Sequence, residues 1–246
     1  MSGPDLKYAG YNLRRVLRRG VWYFAKTAAE KAYNRIFRYY YYRAFRQGAK
    51  FSFRGKELEY FYHPYNETFV NERAIEVPLV RELMARRPGA RTLEVGDVLS
   101  HYFTLSHEVL DKFTDKPGVI AEDIIAFAPA EKYDLVVSIS TIEHVGWDDE
   151  PREPANVRRA VDNLRAILKP GGRLALTTHL NYNEELDRLL SEDKGTFTEV
   201  ICYKRVSFDE WKEASFDEIR GCGYDSPYPR ANCLVLAIYD KPYREQ

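Results

Sequence analysis

Short apolar runs, each ending in an acid or a glycine, recur along the second half of the chain. Arg91–Val95 alternates polar and apolar before Gly96 and Asp97, as a buried strand does where it gives way to a ligand loop. Val109-Leu110-Asp111 and Val119–Ile124 read as two more strands tipped by acids. Lys132–Ser140, KYDLVVSIS, is nearly continuous in apolar residues, the mark of a strand covered on both faces. Arg173–Thr178 predicts a fifth strand, Phe197–Val206 a sixth and Asn232–Tyr239 the last. Helical spacing fills the gaps. Val157, Ala160, Val161, Leu164, Ile167 and Leu168 share one face of a helix over Ala155–Leu168 that stops at Pro170-Gly171-Gly172. Asn71-Glu72-Arg73 opens another, with Pro78 as an early-turn proline, Leu79, Val80, Leu83 and Met84 inward, and Pro88-Gly89 as its end. A further helix covers Glu184–Leu190, and Phe208–Trp211 caps a short one. Strands alternating with helices predict an α/β fold with a doubly wound, mostly parallel sheet.

The first 57 residues follow another rule and form an N-terminal basic helical extension, with residues 58–246 as the main domain. Leu13–Arg19 sets four arginines around Leu13, Val16 and Leu17. Tyr33, Ile36, Phe37, Tyr40, Tyr41, Ala44 and Phe45 recur at i, i+3, i+4, i+7, with arginines on or near the other face and Gly48 as a stop. Phe51–Tyr62 predicts a hairpin turning at Arg54-Gly55. An aromatic stripe on a basic helix is first a packing or homo-oligomer face. It also suits an anionic membrane surface and, with less support, single-stranded nucleic acid.

Charge sharpens this division. The 246 residues carry 37 basic and 37 acidic side chains. Residues 1–56 hold 14 of the basic and 2 of the acidic ones, so a basic arm precedes an acidic body. Three cysteines without a C-x-x-C pair argue against a zinc site or a disulfide framework. With no long apolar run and a polar start, the expectation is a cytoplasmic protein, peripheral to a membrane if the arm meets lipid.

The candidate chemistry lies at the carboxyl ends of the strands, where open α/β sheets bind ligands. Glu94, Gly96 and Asp97 end the first strand. Asp111 follows 15 residues after Gly96, and its two oxygens match a vicinal diol. Ser138 lies at the end of the fourth strand, followed by Glu143 and His144. His144 is a candidate base, since an imidazole titrates near neutrality. His179, Asn181 and Tyr182 follow the fifth strand on the same side, and Tyr62 joins them as an aromatic partner for an acceptor. G-x-G-x-x-G is absent, which disfavours a nicotinamide dehydrogenase.

The stretches YDLVVSISTIEHVG and LRAILKPGGRLALTT are the most specific pieces of a series that, from about Tyr60 to Tyr239, resembles the class I S-adenosyl-L-methionine (SAM)-dependent methyltransferases. The resemblance implies a seven-stranded Rossmann-like methyltransferase fold with SAM as cofactor. It implies a ribose contact at Asp111, an adenine contact at Asp123 with Ile124 packed on the ring, and a partner for the methionyl carboxylate at Arg73. The chain departs from the family at Val98 and Ser100, where members carry further glycines. A similar Glu-His pair holds a metal in some members, but no third ligand is evident here, so none is expected.

Methyl transfer to a small-molecule or glycan-like acceptor, at oxygen, is the leading expectation, with His144, His179 and Glu143 as catalytic candidates. Methylation of RNA gripped by the basic arm is the alternative. The base-stacking loop of exocyclic-amine methyltransferases would fall at Ser138–Thr141 and is not present. A non-catalytic module that kept the fold is the third reading.

Overall fold

The computed structural model describes residues 26, 29, 33–192 and 195–243. The helix expected at Leu13–Arg19 lies outside them. The chain divides into two compact units, Met1–Gln47 and Gly48–Gln246. In the first, a wide helical turn over Asn34–Arg38 leads into α1, Tyr39–Phe45. Its aromatic stripe faces solvent: Tyr33, Ile36, Phe37, Tyr40, Tyr41 and Phe45 are all more than half exposed.

The second unit begins with the expected hairpin, β1 Lys50–Phe53 and β2 Lys56–Glu59. It falls on this side of the division because Phe51, Phe53 and Leu58 are buried in the core of the larger unit. Eight further strands form one sheet: β3 Thr92–Val95, β4 Glu108–Leu110, β5 Val119–Ile120, β6 Tyr133–Ile139, β7 Leu168–Thr178, β8 Glu199–Arg205, β9 Trp211–Ala214 and β10 Cys233–Asp240. Their order is β5-β4-β3-β6-β7-β10-β8-β9. From β5 to β7 every neighbour is parallel, and the last three pairings are antiparallel.

Alternation along the strands gives the sheet two apolar faces. Val136, Leu174, Leu176, Val235 and Ala237 pack with α3, Asn156–Ala166, and α4, Glu184–Ser191. On the opposite face, Ala175, Leu234, Leu236 and Ile238 pack with the hairpin and α2, Arg73–Ala85, while Leu135, Val137 and Ile139 meet Val77 and Val80 of the same helix. A fully buried aliphatic side chain of this kind contributes about 1.5–3 kcal/mol, and β6 carries four of them, Leu135, Val136, Val137 and Ile139.

Two expectations are corrected. Pro78 lies well inside α2 rather than restarting it. The helix survives because the carbonyl that loses its donor, that of Ala74, accepts instead from Phe61 N–H at 2.9 Å. The sheet has eight strands, because Trp211–Ala214, expected to start a helix, extends along the β8 edge with Trp211 buried. The cap falls at Ser215, whose Oγ accepts from Glu218 N–H while the Glu218 carboxylate accepts from Ser215 N–H, opening the one-turn helix α5, Phe216–Ile219.

Candidate active site

The strand order reverses between β3 and β6, and at the carboxyl ends of these strands a cavity of about 350 Å³ opens. Val95–Val98 from β3, Leu110–Phe113 from β4, Glu122 and Ile124 after β5, and Ser140, Thr141, His144 and Val145 after β6 line it, with Asp148 and Asp149 at one side. Five of the expected residues therefore converge: Gly96, Asp97, Asp111, Ile124 and His144.

The loop after β3 is held from inside. Glu94 is fully buried and accepts from Val98 N–H at 3.0 Å and Leu99 N–H at 2.7 Å with one oxygen, and meets His107 Nε2 at 2.8 Å with the other. Its role is to brace the loop; it does not line the cavity, which corrects its expected place. The amides of Val98 and Leu99 are thereby spent on Glu94, the structural counterpart of the missing glycines. Gly96 has φ +84°, and a Cβ there would stand 2.2 Å from Thr141 Oγ1. The loop and the turn after β6 thus close on each other only because residue 96 lacks a side chain.

Asp97 is the charged end of the cavity. Lys116 Nζ donates to its Oδ2 at 2.5 Å, and its Oδ1 is buried without a hydrogen-bond partner. Burial works against its charge, but Lys116 and the Ser100 hydroxyl outweigh it and hold the carboxyl below its usual range. Asp111 accepts from Asp97 N–H at 3.2 Å and Phe113 N–H at 2.9 Å, which fixes its carboxylate at the tip of β4. Asp123 faces elsewhere: Oδ1 accepts from Ile125 N–H at 2.9 Å and Oδ2 from Lys112 Nζ at 3.1 Å, while its neighbours Glu122 and Ile124 reach the cavity. Lys112 also reaches Asp149 at 3.3 Å. Burial opposes its charge, yet these two carboxylates raise its pKa.

Ser138 and Arg73 also stand outside the cavity. Ser138 is buried in β6 and donates to Val95 C=O at 3.2 Å, a cross-strand bond that points it into the sheet. Arg73 donates to Glu76 at 2.5 Å. Glu76, fully buried, accepts in addition from Ser140 Oγ at 2.5 Å and Thr177 Oγ1 at 2.8 Å. Burial pushes the Glu76 carboxyl up, and Arg73 pulls it back. Sequence reading missed Glu76. Its one signal is an acid inside the apolar run Ala74–Val80 of α2, a position that demands buried partners.

The acceptor-side candidates form a second group. His144 Nδ1 meets Asp148 at 2.7 Å, and the same carboxylate accepts from Tyr182 Oη at 2.9 Å. The Tyr182 ring lies 4.9 Å from that of His144 and 5.5 Å from that of His179. Glu143 is fully buried, neither carboxylate oxygen has a hydrogen-bond partner, and Oε1 lies 3.5 Å from His179 Nδ1. Burial opposes the His179 imidazolium, and Glu143 outweighs it, so its pKa rises. Asn183 holds this turn: it caps α4 and donates to Glu143 C=O at 3.0 Å and Val145 C=O at 3.3 Å. Asn181 and Tyr62 do not join them. Asn181, at φ +65°, donates to Cys222 C=O at 2.8 Å and lines a separate hollow of about 200 Å³. Tyr62 stacks on Tyr60 at 6.0 Å, against the core under the hairpin.

A family profile described as a methyltransferase domain matches residues 102–176, the segment that carries β4 to β7 and the turn of His144. The profile match and the curated relative below support a class I SAM-dependent methyltransferase. A malonyl-[acyl-carrier protein] O-methyltransferase of Ilyobacter polytropus is 28% identical over 132 residues. The match covers 48% of this chain and 48% of that protein, so the chain spans about half the length of this curated relative. Among solved structures, the N-methyltransferase NodS of Bradyrhizobium japonicum is 20% identical with a TM-score of 0.43, over 70% of this chain and 96% of that one. The sugar N-methyltransferase KedS8 of a Streptoalloteichus species is 16% identical with a TM-score of 0.36, over 77% and 97%.

The cavity fits the family's cofactor, SAM. Its walls are apolar at Val95, Leu110, Ile124 and Val145, a diol-matching carboxylate stands at the tip of β4, and the orphan oxygen of Asp97 awaits a donor such as an ammonium. Among the described residues, no group of three or more His, Cys, Asp or Glu is arranged to hold a metal.

Proposed function

We propose that this chain transfers the methyl group of SAM to a small-molecule or glycan-like acceptor. The observation that supports it most is the cavity itself: Asp97 and Asp111 stand at the tips of β3 and β4, and His144 stands across from them after β6. When bound, SAM supplies a methyl on a positively charged sulfur, already activated for in-line attack. The protein's part is positioning and exclusion of water. Asp111 would accept from the ribose hydroxyls and Asp97 Oδ1 from the α-ammonium, and Ile124 would pack on the base. The acceptor would approach past Tyr182, with His144 and the Glu143–His179 pair nearest the reacting atom.

The carboxylates of Asp148 and Glu143 on that side oppose an anionic acceptor, such as the malonyl carboxylate named for the Ilyobacter relative. The test is calorimetry with SAM and S-adenosylhomocysteine. Binding by the intact chain, weakened in Asp111→Ala, supports the reading, and no heat from either ligand rejects it.

A further inference from the structure

Building on the reading above, we infer that the acceptor atom is the nitrogen of a primary amine, received by Glu143 and His179. Oε1 and Oε2 of Glu143 and Nδ1 of His179 are buried without a hydrogen bond, although Oε1 and Nδ1 face each other as an ion pair at 3.5 Å. Buried polar atoms are nearly always paired in native proteins, so orphans gathered in one place indicate a missing ligand. Glu143 is fully buried and His179 is 9% exposed. Asn183 holds the backbone carbonyl of Glu143 at 3.0 Å.

Donor arithmetic selects the ligand. A carboxylate acceptor brings no proton and adds like charge. A hydroxyl brings one proton. A neutral primary amine brings two N–H donors and keeps a lone pair, so it can satisfy both Glu143 oxygens and still present a nucleophile.

Charge points the same way. As the N–C bond forms and the C–S bond breaks, the electron pair passes to sulfur, and positive charge moves from sulfur to nitrogen. A desolvated carboxylate fixed beside that nitrogen stabilises the charge where it develops. The product leaves as a secondary ammonium, its charge held against the Glu143 carboxylate until release. An alcohol would need its proton removed during attack, a demand the two orphan oxygens of Glu143 do not require of an amine.

Both oxygens lack solvent exposure, so a neighbouring ring must move for a ligand to reach them. Tyr182, in contact with both imidazoles and tethered at its hydroxyl to the half-exposed Asp148, is the ring placed to do so.

The test uses three probes of similar size and different charge: ethanolamine, ethylene glycol and glycolate. Each is titrated into the full chain saturated with S-adenosylhomocysteine, at fixed pH and ionic strength, while the His179 ring resonances are followed by NMR. The expected result is a saturable shift with ethanolamine alone, weakened about tenfold or more in Glu143→Gln, as loss of a charge-assisted hydrogen bond implies. An equal response to ethylene glycol, any saturable response to glycolate, an unchanged ethanolamine response in Glu143→Gln, or none in the wild type overturns the inference. Calorimetry in the same buffer separates the two levels. If S-adenosylhomocysteine binds and ethanolamine does not, the amine inference alone fails; if neither binds, the cofactor reading falls and takes the amine with it.

Discussion

Replacing Gly96 by alanine tests whether the cofactor loop depends on one missing side chain. The new Cβ would stand 2.2 Å from Thr141 Oγ1, 2.9 Å from its Cγ2 and 3.0 Å from its Cβ. Real Cβ atoms do not approach this closely, so either the loop after β3 or the turn after β6 must shift. Overpacking of this kind costs about 1–3 kcal/mol. The backbone adds its own penalty, since φ is +84° and an L-residue there costs about 1–2 kcal/mol. The sum is about 2–5 kcal/mol, which for a domain of this size lowers Tm by about 4–20 °C. The double variant Gly96→Ala/Thr141→Ala separates the two contributions, because it removes Oγ1 and Cγ2 and leaves the φ penalty. Thermal unfolding of the wild type, both single variants and the double variant forms a complete cycle. The expected coupling is favourable by about 1–2 kcal/mol, close to the steric share. SAM affinity, measured by calorimetry on the same four proteins, should fall in Gly96→Ala and partly return in the double variant. Additive effects of the two substitutions would refute the idea that the loop and the turn meet at this point.

Three more predictions follow from the same geometry. Glu76→Gln leaves the Arg73 guanidinium without its carboxylate in a buried network, and breaking such a pair costs about 3–5 kcal/mol; chemical denaturation within 1 kcal/mol of wild type would mean that Glu76 is carried neutral. Asp111→Asn keeps the shape of the β4 tip, so stability should change by less than about 1 kcal/mol while SAM affinity falls about tenfold or more; unchanged affinity would remove Asp111 from the ribose site. His179 should titrate above its ordinary value of 6.5 because Glu143 outweighs burial. Its folded pKa being raised, the stability it contributes is fully present below the unfolded pKa and is lost as pH rises through the folded one. NMR titration showing a lowered His179 pKa, or no fall on Glu143→Gln, would contradict this.

The sequence by itself determined the order of elements, because that information is local. The double-sided apolar run of β6, the helical spacing of Val157–Leu164 and the glycine stops appear in the chain as they appear in the fold. Gly96, Asp97, Asp111, Ile124 and His144 were legible as residues of this rim for a related reason: each lies just after the end of a strand, and strand ends share one rim of the sheet.

What the sequence left open was the direction of each side chain and the partner it finds. Glu94 and Ser138 lie on the right strands but turn inward to Val98, Leu99 and the Val95 carbonyl. Asp123 spends its oxygens on Ile125 and Lys112, and Asn181 spends its amide on Cys222, 41 residues away. Pro78 sits within α2 because Phe61 serves the carbonyl that proline cannot. Only folding decides which residue meets Glu76 across 101 positions, or leaves Glu143 beside His179 without a hydrogen bond. Periodicity along a chain records which face a residue occupies. Hydrogen-bond satisfaction is settled between distant segments, and it is there that this protein separates bracing residues from those left available to a ligand.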